Sequence, residues 1–337
     1  FIPPYALLFV QMVHDFWRYQ DDEAFVRARL PGTRAVLDWF IERQRPDGLL
    51  GFLPYWVHGD TGTALDDAIQ EADGGSGIIT MQWLETLRQA ADLEAHLGDG
   101  ARAQRYQRHA AAAERGLALL WDAERGLFAD TPARRTWGHP VNIYALITGV
   151  VPTMARAALI ERVTRIGTHP VGRAADGGRG GAWPLDQIPS ASYYFRFYLA
   201  RALEAQSAAD AYVPLLAPWR RLLAQGLTTW PEHPEPSRSD SHAWSAHPTL
   251  DLLRVVAGIR PAAPGFRRVS LSPALGPLRE VRATHAHPRG RIEVTYRRTG
   301  ETALHADVTL PDGIDGVLVW RGTTSPLRPG RQQLDLP

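Results

Sequence analysis

The chain has 337 residues, of which 45% are apolar and 22% charged, the balance of an ordinary globular protein with one or two domains. Its formal net charge of +1 gives no global field that would recruit nucleic acid or an anionic membrane. The absence of Cys excludes disulfides, thiolate catalysis and Cys-based zinc sites, and no apolar run reaches the roughly 18 residues of a membrane span. The sequence therefore predicts a soluble protein, cytoplasmic or periplasmic, with no nucleic-acid or membrane partner, and it leaves the oligomeric state open.

Residues 1–259 predict helices joined by loops rich in Gly and Pro. No period of fixed length repeats, which disfavours a solenoid and favours a closed toroid of helical hairpins with its longer loops at one end. Because long loops on a rigid scaffold usually carry function, we expect the site in the loops 48–75, 128–140, 169–189 and 227–241. Apolar residues recur at helical spacing in the following segments: Tyr5–Tyr19, Asp22–Gln44 with a break at Pro31, Gly74–Leu97, Ala101–Trp121, Asn142–Thr148, Pro152–Ile166, Ser190–Gln206, Ala208–Gln225 and His242–Ala257.

The pattern changes near Gly258, where a linker rich in Pro and Gly begins. Beyond it, short alternating runs such as "GRIEVTYRR" and "TALHADVTL" are separated by turn sequences such as Pro-Asp-Gly. Five or more such strands predict a small antiparallel β-sandwich over residues 260–337, packed against the helical domain of residues 1–259.

The loop "LTTWPEHPEPSRSDSHAWSAHP" concentrates aromatic and ionisable groups without any apolar rhythm. Pro231 ends the preceding helix and holds Glu232 on a stiff turn, where desolvation beside Trp230 would raise the pKa of the carboxyl and suit it to general base catalysis. The "SDSH" sequence predicts a helix start with His242 in the first turn, facing the loop. A surface Glu in a cap or ion pair, and a His satisfied by backbone, are the alternative interpretations.

Other loops repeat this composition. One carries Trp56 and Asp60, another carries Trp137 and His139, and Arg238 follows Glu232. Aromatic faces beside charged groups in concave loops are what a sugar requires, since its C–H faces stack on aromatic rings and its hydroxyls take charged partners. His242 and His247 are five residues apart, which disfavours a zinc pair on one helical face. The sequence predicts a carbohydrate ligand, with neither cofactor nor metal.

Several stretches in this order resemble the bacterial α-L-rhamnosidases of glycoside hydrolase family 78, which are six-hairpin glycosidases: "ASYYFRFYLARAL", "PWRRLLAQGLTTWPE", "RSDSHAWSAHP" and "GIRPAAPGFRRVSLSPALGPL". The resemblance covers nearly the whole chain and implies an (α/α)6 toroid followed by a C-terminal β-sandwich. It also implies inverting hydrolysis of terminal α-L-rhamnosides, with Glu232 as general base and His242 contacting the sugar. Trp230, Trp56, Trp137, His139, Arg238 and Asp60 are the further residues expected to bind substrate.

The sequence departs from the family's pattern in one respect. The motif resembling Pro-Gln-Arg-Asp-Glu-Arg-x-Gly-Trp, which in the family supplies the general acid, does not occur in it. We therefore expect a C-terminal portion of an enzyme that lacks this acid and the first hairpin, and whose hydrolysis is slower by about 10²–10⁴. Asp60 and Glu71 are candidate substitute acids. A six-hairpin glycosidase for another sugar, or a carbohydrate-binding remnant without catalysis, is the alternative.

Overall fold

The computed structural model describes residues 1–57, 69–168, 191–233, 237 and 239–337. The regular secondary structure of residues 3–256 in this part is helical, apart from a short hairpin of β1 (Trp121–Asp122) and β2 (Leu127–Phe128). No helix in the described ranges is long and apolar enough to cross a membrane. The α-helices are α1 (Pro3–Tyr19), α2 (Glu23–Arg27), α3 (Leu30–Ile41), α4 (Gly77–Leu97), α5 (Gly100–Ala118), α6 (His139–Thr148), α7 (Arg156–Thr168), α8 (Arg196–Ala205), α9 (Tyr212–Leu215), α10 (Ala217–Ala224) and α11 (Pro248–Asp251).

The ends of these helices follow from local sequence. Pro31 interrupts the predicted helical segment 22–44 and lies in the first turn of α3. Backbone N–H groups in a first turn have no acceptor within the helix, so the N–H that proline lacks costs nothing there. The hydroxyl of Ser76 caps α4 by accepting from the Ile79 N–H, and Gly149 ends α6 with a φ of 73°. The predicted segment His242–Ala257 is less regular than expected. It consists of a 3₁₀ turn (Ala243–Ala246), α11 and a π-helical turn (Leu252–Val256).

Five helical segments run parallel to one another: α1, α4, α6, α8 and the segment 243–256. In each neighbouring pair, the contacting residues have increasing numbers along both segments, so the two segments run in the same direction. Their N-terminal ends therefore lie at one end of the domain, together with the loops that precede them. The contacts are Gln11–Thr86 and Trp17–His96 between α1 and α4, Gly77–Val141 and Arg88–Thr148 between α4 and α6, Tyr144–Phe195 and Leu146–Gln206 between α6 and α8, and Tyr194–Trp244 and Glu204–Arg254 at the last pair.

The C-terminal residues form two sheets packed face to face over their own hydrophobic core. One sheet has the order β10-β7-β6-β5 and is antiparallel throughout, and the other has the order β3-β4-β8-β9. In the second sheet β4 pairs with β8 in parallel, so the expectation of a purely antiparallel sandwich is wrong at this pair. The strands are β3 (Ile259–Pro261), β4 (Arg268–Leu271), β5 (Glu280–His287), β6 (Gly290–Arg298), β7 (Leu304–Leu310), β8 (Asp315–Trp320), β9 (Thr323–Leu327) and β10 (Gly330–Leu336).

The sandwich docks on the C-terminal ends of the parallel helices, opposite the long loops. Arg18 at the end of α1 donates to the carbonyl of Pro261 at 3.1 Å, and the Tyr19 ring packs on Phe266 with centroids 5.6 Å apart. On the α8 side, Arg260 of β3 lies 3.5 Å from the carboxylate of Glu204. These contacts hold the two parts together at the end of the helical domain that is remote from the loop containing Glu232.

Candidate active site

The loop around Glu232 is held in a fixed conformation by hydrogen bonds across its two arms. The Glu232 N–H donates to the Ser239 carbonyl at 2.8 Å, and the His242 N–H donates to the Trp230 carbonyl at 2.8 Å. The Ser245 hydroxyl donates to the Pro231 carbonyl at 2.9 Å. The Glu232 side chain is 1% exposed, and its Oε1 atom lies 3.6 Å from Nε2 of His233. A buried carboxylate on such a rigid turn has the fixed position that proton transfer requires.

His242 precedes the last helical segment instead of lying within it. Its backbone is extended, with φ −119° and ψ 110°, and its side chain makes no cap hydrogen bond. The expectation that Ser239, Asp240 or Ser241 caps this helix with His242 in its first turn is therefore wrong. The cause is the pairing of the His242 N–H with Trp230, which keeps the chain extended until Ala243. His242 remains beside the Glu232 loop, and its ring centroid lies 4.2 Å from that of Trp244.

An aromatic cluster continues from His242 toward the centre of the parallel helices. The Trp244 ring lies 5.2 Å from that of Tyr194, whose hydroxyl is 2.9 Å from the hydroxyl of Tyr198. Tyr198 packs on Tyr144 of α6 at 4.9 Å. Among the described residues no acceptor faces the indole N–H of Trp244. Burial raises the pKa of Tyr144 and of Tyr198 well above the ordinary phenol value, so both remain neutral hydroxyls that can donate and accept.

A small cavity of about 20 Å³ lies beside this cluster, at the N-terminal ends of the parallel helices. Tyr144, Tyr194 and Tyr198 line one side of it. The N-terminal turns of α1 and α4 line the other, with Tyr5 and Gln82 as the polar groups. The cavity has room for about one water molecule, and its lining combines phenol rings, hydroxyls and one amide, groups of the kind that contact a sugar.

A buried ionic network anchors the helical segment that follows the Glu232 loop. His247 donates from Nε2 to the Tyr193 carbonyl at 3.0 Å and contacts Asp251 through Nδ1 at 2.7 Å. Asp251 is fully buried and also accepts from the Tyr212 hydroxyl at 2.9 Å and from Arg201. These bonds join the segment carrying Trp244 to α8 and α9, so the network fixes the position of the aromatic cluster relative to the Glu232 loop.

Two predicted substrate-binding residues occupy structural positions. His139 is 2% exposed; its Nε2 lies 3.1 Å from the Val163 carbonyl, and its Nδ1 accepts from the Ala191 N–H at 3.0 Å. Both ring nitrogens are thus engaged with backbone, and this geometry favours a wall residue over a direct sugar ligand. Trp137 carries the Arg125 guanidinium 4.1 Å from its ring centroid, so that one ring face is covered. A sugar contact by either residue remains a prediction.

The remaining predicted residues are dispersed. Trp230 is half-buried and packs against the cluster of Tyr193, Trp219 and Leu222, so it forms part of the loop's core. Trp56 is 58% exposed in the loop before α4. Asp60 and Arg238 lie outside the described residues.

Glu71 is poorly suited to replace a general acid. The hydrogen bond from the Thr131 side chain and the Ala133 N–H, which donates at 2.7 Å, together lower the pKa of its carboxyl. A group with a lowered pKa is ionised at neutral pH and has no proton to transfer.

The phenol groups that connect the loop to the cavity were not predicted as site residues from the sequence. Tyr144 lies between apolar neighbours in a helix whose residues are almost all buried, so nothing local distinguishes it from a core residue. Tyr194 and Trp244 had a local signal, because each occurs in an aromatic-rich loop sequence. Their contact joins positions 50 residues apart, and helical periodicity carries no information about such a pairing.

Residues 258–334 match the sequence model of the bacterial α-L-rhamnosidase C-terminal domain. No curated protein sequence matches the chain. Several solved structures share its fold. A GH78 rhamnosidase of Bacillus sp. GL1 superposes with a TM-score of 0.73 at 20% identity, covering 94% of this chain and 33% of the other.

An α-L-rhamnosidase of Aspergillus terreus gives a TM-score of 0.76 at 15% identity, over 97% of this chain and 38% of the other. The α-L-rhamnosidase of Streptomyces avermitilis in complex with L-rhamnose gives 0.70 at 16% identity, over 96% and 32%. The chain therefore spans about a third of the length of these proteins. Residues 258–334 therefore resemble a bacterial α-L-rhamnosidase C-terminal domain in sequence, and the chain shares its fold with the matching parts of these α-L-rhamnosidases.

Proposed function

We propose that the chain carries the catalytic base and part of the sugar pocket of an inverting exo-glycosidase for terminal α-L-rhamnosides. The observation that carries the proposal is the buried carboxylate of Glu232, on a turn hydrogen-bonded to His242, from which the aromatic cluster extends. The fold shared with α-L-rhamnosidases, one of them solved with L-rhamnose, supports this choice of sugar.

In the proposed reaction Glu232 removes a proton from a water molecule, whose oxygen attacks the anomeric carbon from the face opposite the leaving oxygen. The bond to the leaving oxygen breaks as a general acid protonates it, and the product sugar has the inverted configuration. The two carboxyl groups of an inverting pair are about 6.5–9.5 Å apart, which leaves room for the water. In this proposal the Trp244 and Tyr194 rings, which contact each other, stack on the sugar, and the Tyr198 hydroxyl binds one of its hydroxyl groups.

The first experiment is hydrolysis of an aryl α-L-rhamnoside, with the anomer of the first product observed by ¹H NMR. Glu232→Gln keeps the shape of the side chain and removes its basicity, and we expect kcat to fall by about 10²–10⁴. Asp315→Asn, an exposed carboxylate of the sandwich, is the matched control and should leave kcat unchanged. Loss of less than tenfold in Glu232→Gln would remove this residue as the base, and retention of configuration would exclude inversion.

The proposal assigns no general acid among the described residues. The dependence of the hydrolysis rate on the leaving group tests this point. A dinitrophenolate leaves with little protonation, whereas an alkyl alkoxide needs a proton. We expect the chain to hydrolyse dinitrophenyl α-L-rhamnoside and to be slower by a further factor of about 10²–10⁴ on an alkyl rhamnoside than on the aryl one. Sugar binding without turnover of either substrate would instead identify a carbohydrate-binding remnant.

We include in the proposal an (α/α)6 toroid in which a further helical hairpin packs on α1. Phe1 just before α1 is 74% exposed, and Tyr5, Phe9 and Met12 of α1 follow it at helical spacing with 42%, 39% and 68% exposure. An apolar stripe of this kind normally packs against another helix. We expect the intact chain to bind an apolar fluorescent dye here. Met12→Ser should reduce that binding more than Met154→Ser, which removes a fully exposed methionine elsewhere; equal reduction would argue against a docking face.

A further inference from the structure

A second cleft lies between the helical domain and the sandwich, at the end remote from Glu232. It encloses about 260 Å³, and small-molecule sites occur preferentially at such domain interfaces. The α8 end and the π-helical turn form one wall, and β3, the turn after β4 and the β8–β9 turn form the other. The proposed rhamnosidase reaction makes no use of this cleft.

Basic side chains outnumber acidic ones on the walls. Arg254, Arg260 and Arg321 line the cleft together with two carboxylates, Glu204 and Asp210. Both carboxylates are already bound within the protein, as the next contacts show. The lining therefore carries one more positive than negative charge.

Glu204 is enclosed by three guanidinium groups. Its Oε2 lies 3.1 Å from Nε of Arg201 and 3.0 Å from Nε of Arg254, and its Oε1 lies 3.5 Å from Nη1 of Arg260. Asp210 accepts from the Gly276 N–H at 2.8 Å and has Arg298 at 3.9 Å. Arg254 also donates from Nη1 to the Tyr19 hydroxyl at 3.4 Å. Planar guanidinium forks match the oxygens of carboxylate and phosphate groups.

Arg321 completes the basic lining from the sandwich. It is exposed, its guanidinium lies 5.6 Å from the Trp320 ring, and its Nη2 donates to the Glu301 carbonyl at 3.3 Å. Its φ is +46°, in the left-handed region that residues with a Cβ seldom adopt. Across the cleft Ser207 has a φ of +56°, so two of the four non-glycine residues with positive φ in the described chain line this one cleft. Strained backbone of this kind concentrates at functional sites.

We propose that this cleft is a binding site for a small oxyanion, a carboxylate or a phosphate, held by Arg254, Arg260 and Arg321. The ligand would contact both domains and so stabilise their association. The Ser207 and Ser272 residues on its walls add hydroxyl groups for a ligand that also carries hydroxyls, such as a sugar acid.

Titration calorimetry of the intact chain tests this with sodium phosphate, sodium acetate and sodium glucuronate, each at the ionic strength of a sodium chloride reference. We expect one saturable site for at least one of the three anions, and a melting temperature that rises with its concentration. Tighter phosphate binding would identify a phosphate site, and tighter glucuronate binding a sugar-acid site. Heats no larger than those of chloride for all three anions would overturn the proposal.

Arg321→Asn supplies the structural test. Asn tolerates the left-handed backbone better than other residues with a Cβ, so the variant keeps the turn while losing the guanidinium. We expect binding at least about tenfold weaker, the effect of one charged hydrogen-bonding group. Arg321→Gly provides a second variant without backbone strain, and Arg328→Gln, an exposed arginine in the β9–β10 turn, should bind as the wild type does. Unchanged affinity in both Arg321 variants, with native circular dichroism, would overturn the assignment.

Discussion

Asp251→Asn should strongly destabilise the helical domain, because Asp251 neutralises a buried network. Its carboxylate is fully buried and accepts from His247, Tyr212 and Arg201. Removing one partner of a buried ion pair costs about 3–5 kcal/mol, since the other charge is left without compensation. Arg201 keeps a second carboxylate, Glu204, at 3.1 Å, so we expect a loss near the lower limit, about 3 kcal/mol.

The assay is urea unfolding followed by circular dichroism at a helical wavelength, comparing midpoints at equal slope. Tyr212→Phe removes one hydrogen bond to the same carboxylate and should cost about 1.5–3 kcal/mol. Asp315→Asn breaks an exposed ion pair with Arg268 and should cost at most about 1 kcal/mol. A loss below about 1 kcal/mol in Asp251→Asn would refute the reasoning, because an uncompensated buried charge would then be tolerated.

Two further predictions concern pH and the domain junction. Burial, followed by the charge of Asp15, raises the pKa of Glu85 from 4.5 to about 7. The folded chain therefore holds a proton that the unfolded chain has released, so this group lowers stability as pH rises from 4.5 to about 7. By urea unfolding, Glu85→Gln should be more stable than the wild type by about 3 kcal/mol at pH 8 and close to it at pH 4; a wild type that gains on the variant with rising pH would contradict this. Gly258→Ala should destabilise the junction, because its φ is +70° and an added Cβ would lie 2.2 Å from the Ser272 backbone. Gly149→Ala has a similar φ of +73° with open space, so it isolates the backbone cost of about 1 kcal/mol; an equal melting temperature in the two variants would contradict the steric argument.

The change in sequence pattern near Gly258 was sufficient to predict a helical part followed by a β-sheet part. Helical periodicity and β alternation are local properties of sequence, and each element then buries the face that its pattern defines. The pairing of β4 with β8 was not predictable in this way. These strands are separated by three others along the chain, and the parallel register depends on how the two sheets pack.

For the candidate site, the sequence by itself determined the stiff turn at Glu232. Pro231 restricts the backbone on both sides of itself, and the surrounding composition has no core periodicity. The sequence also placed His242 beside this turn, although the structure shows it extended and not helical.

Only the tertiary structure decided which aromatic groups meet at the cavity and which ionisable groups are buried. Tyr144, Tyr198 and Trp244 come together from three parallel helical segments, and both ring nitrogens of His139 contact the backbone of Val163 and Ala191. The raised pKa of Glu85 likewise depends on burial among neighbouring helices. Such contacts join residues that are distant along the chain, and their energies depend on the desolvation and charge that packing creates, which no local pattern encodes.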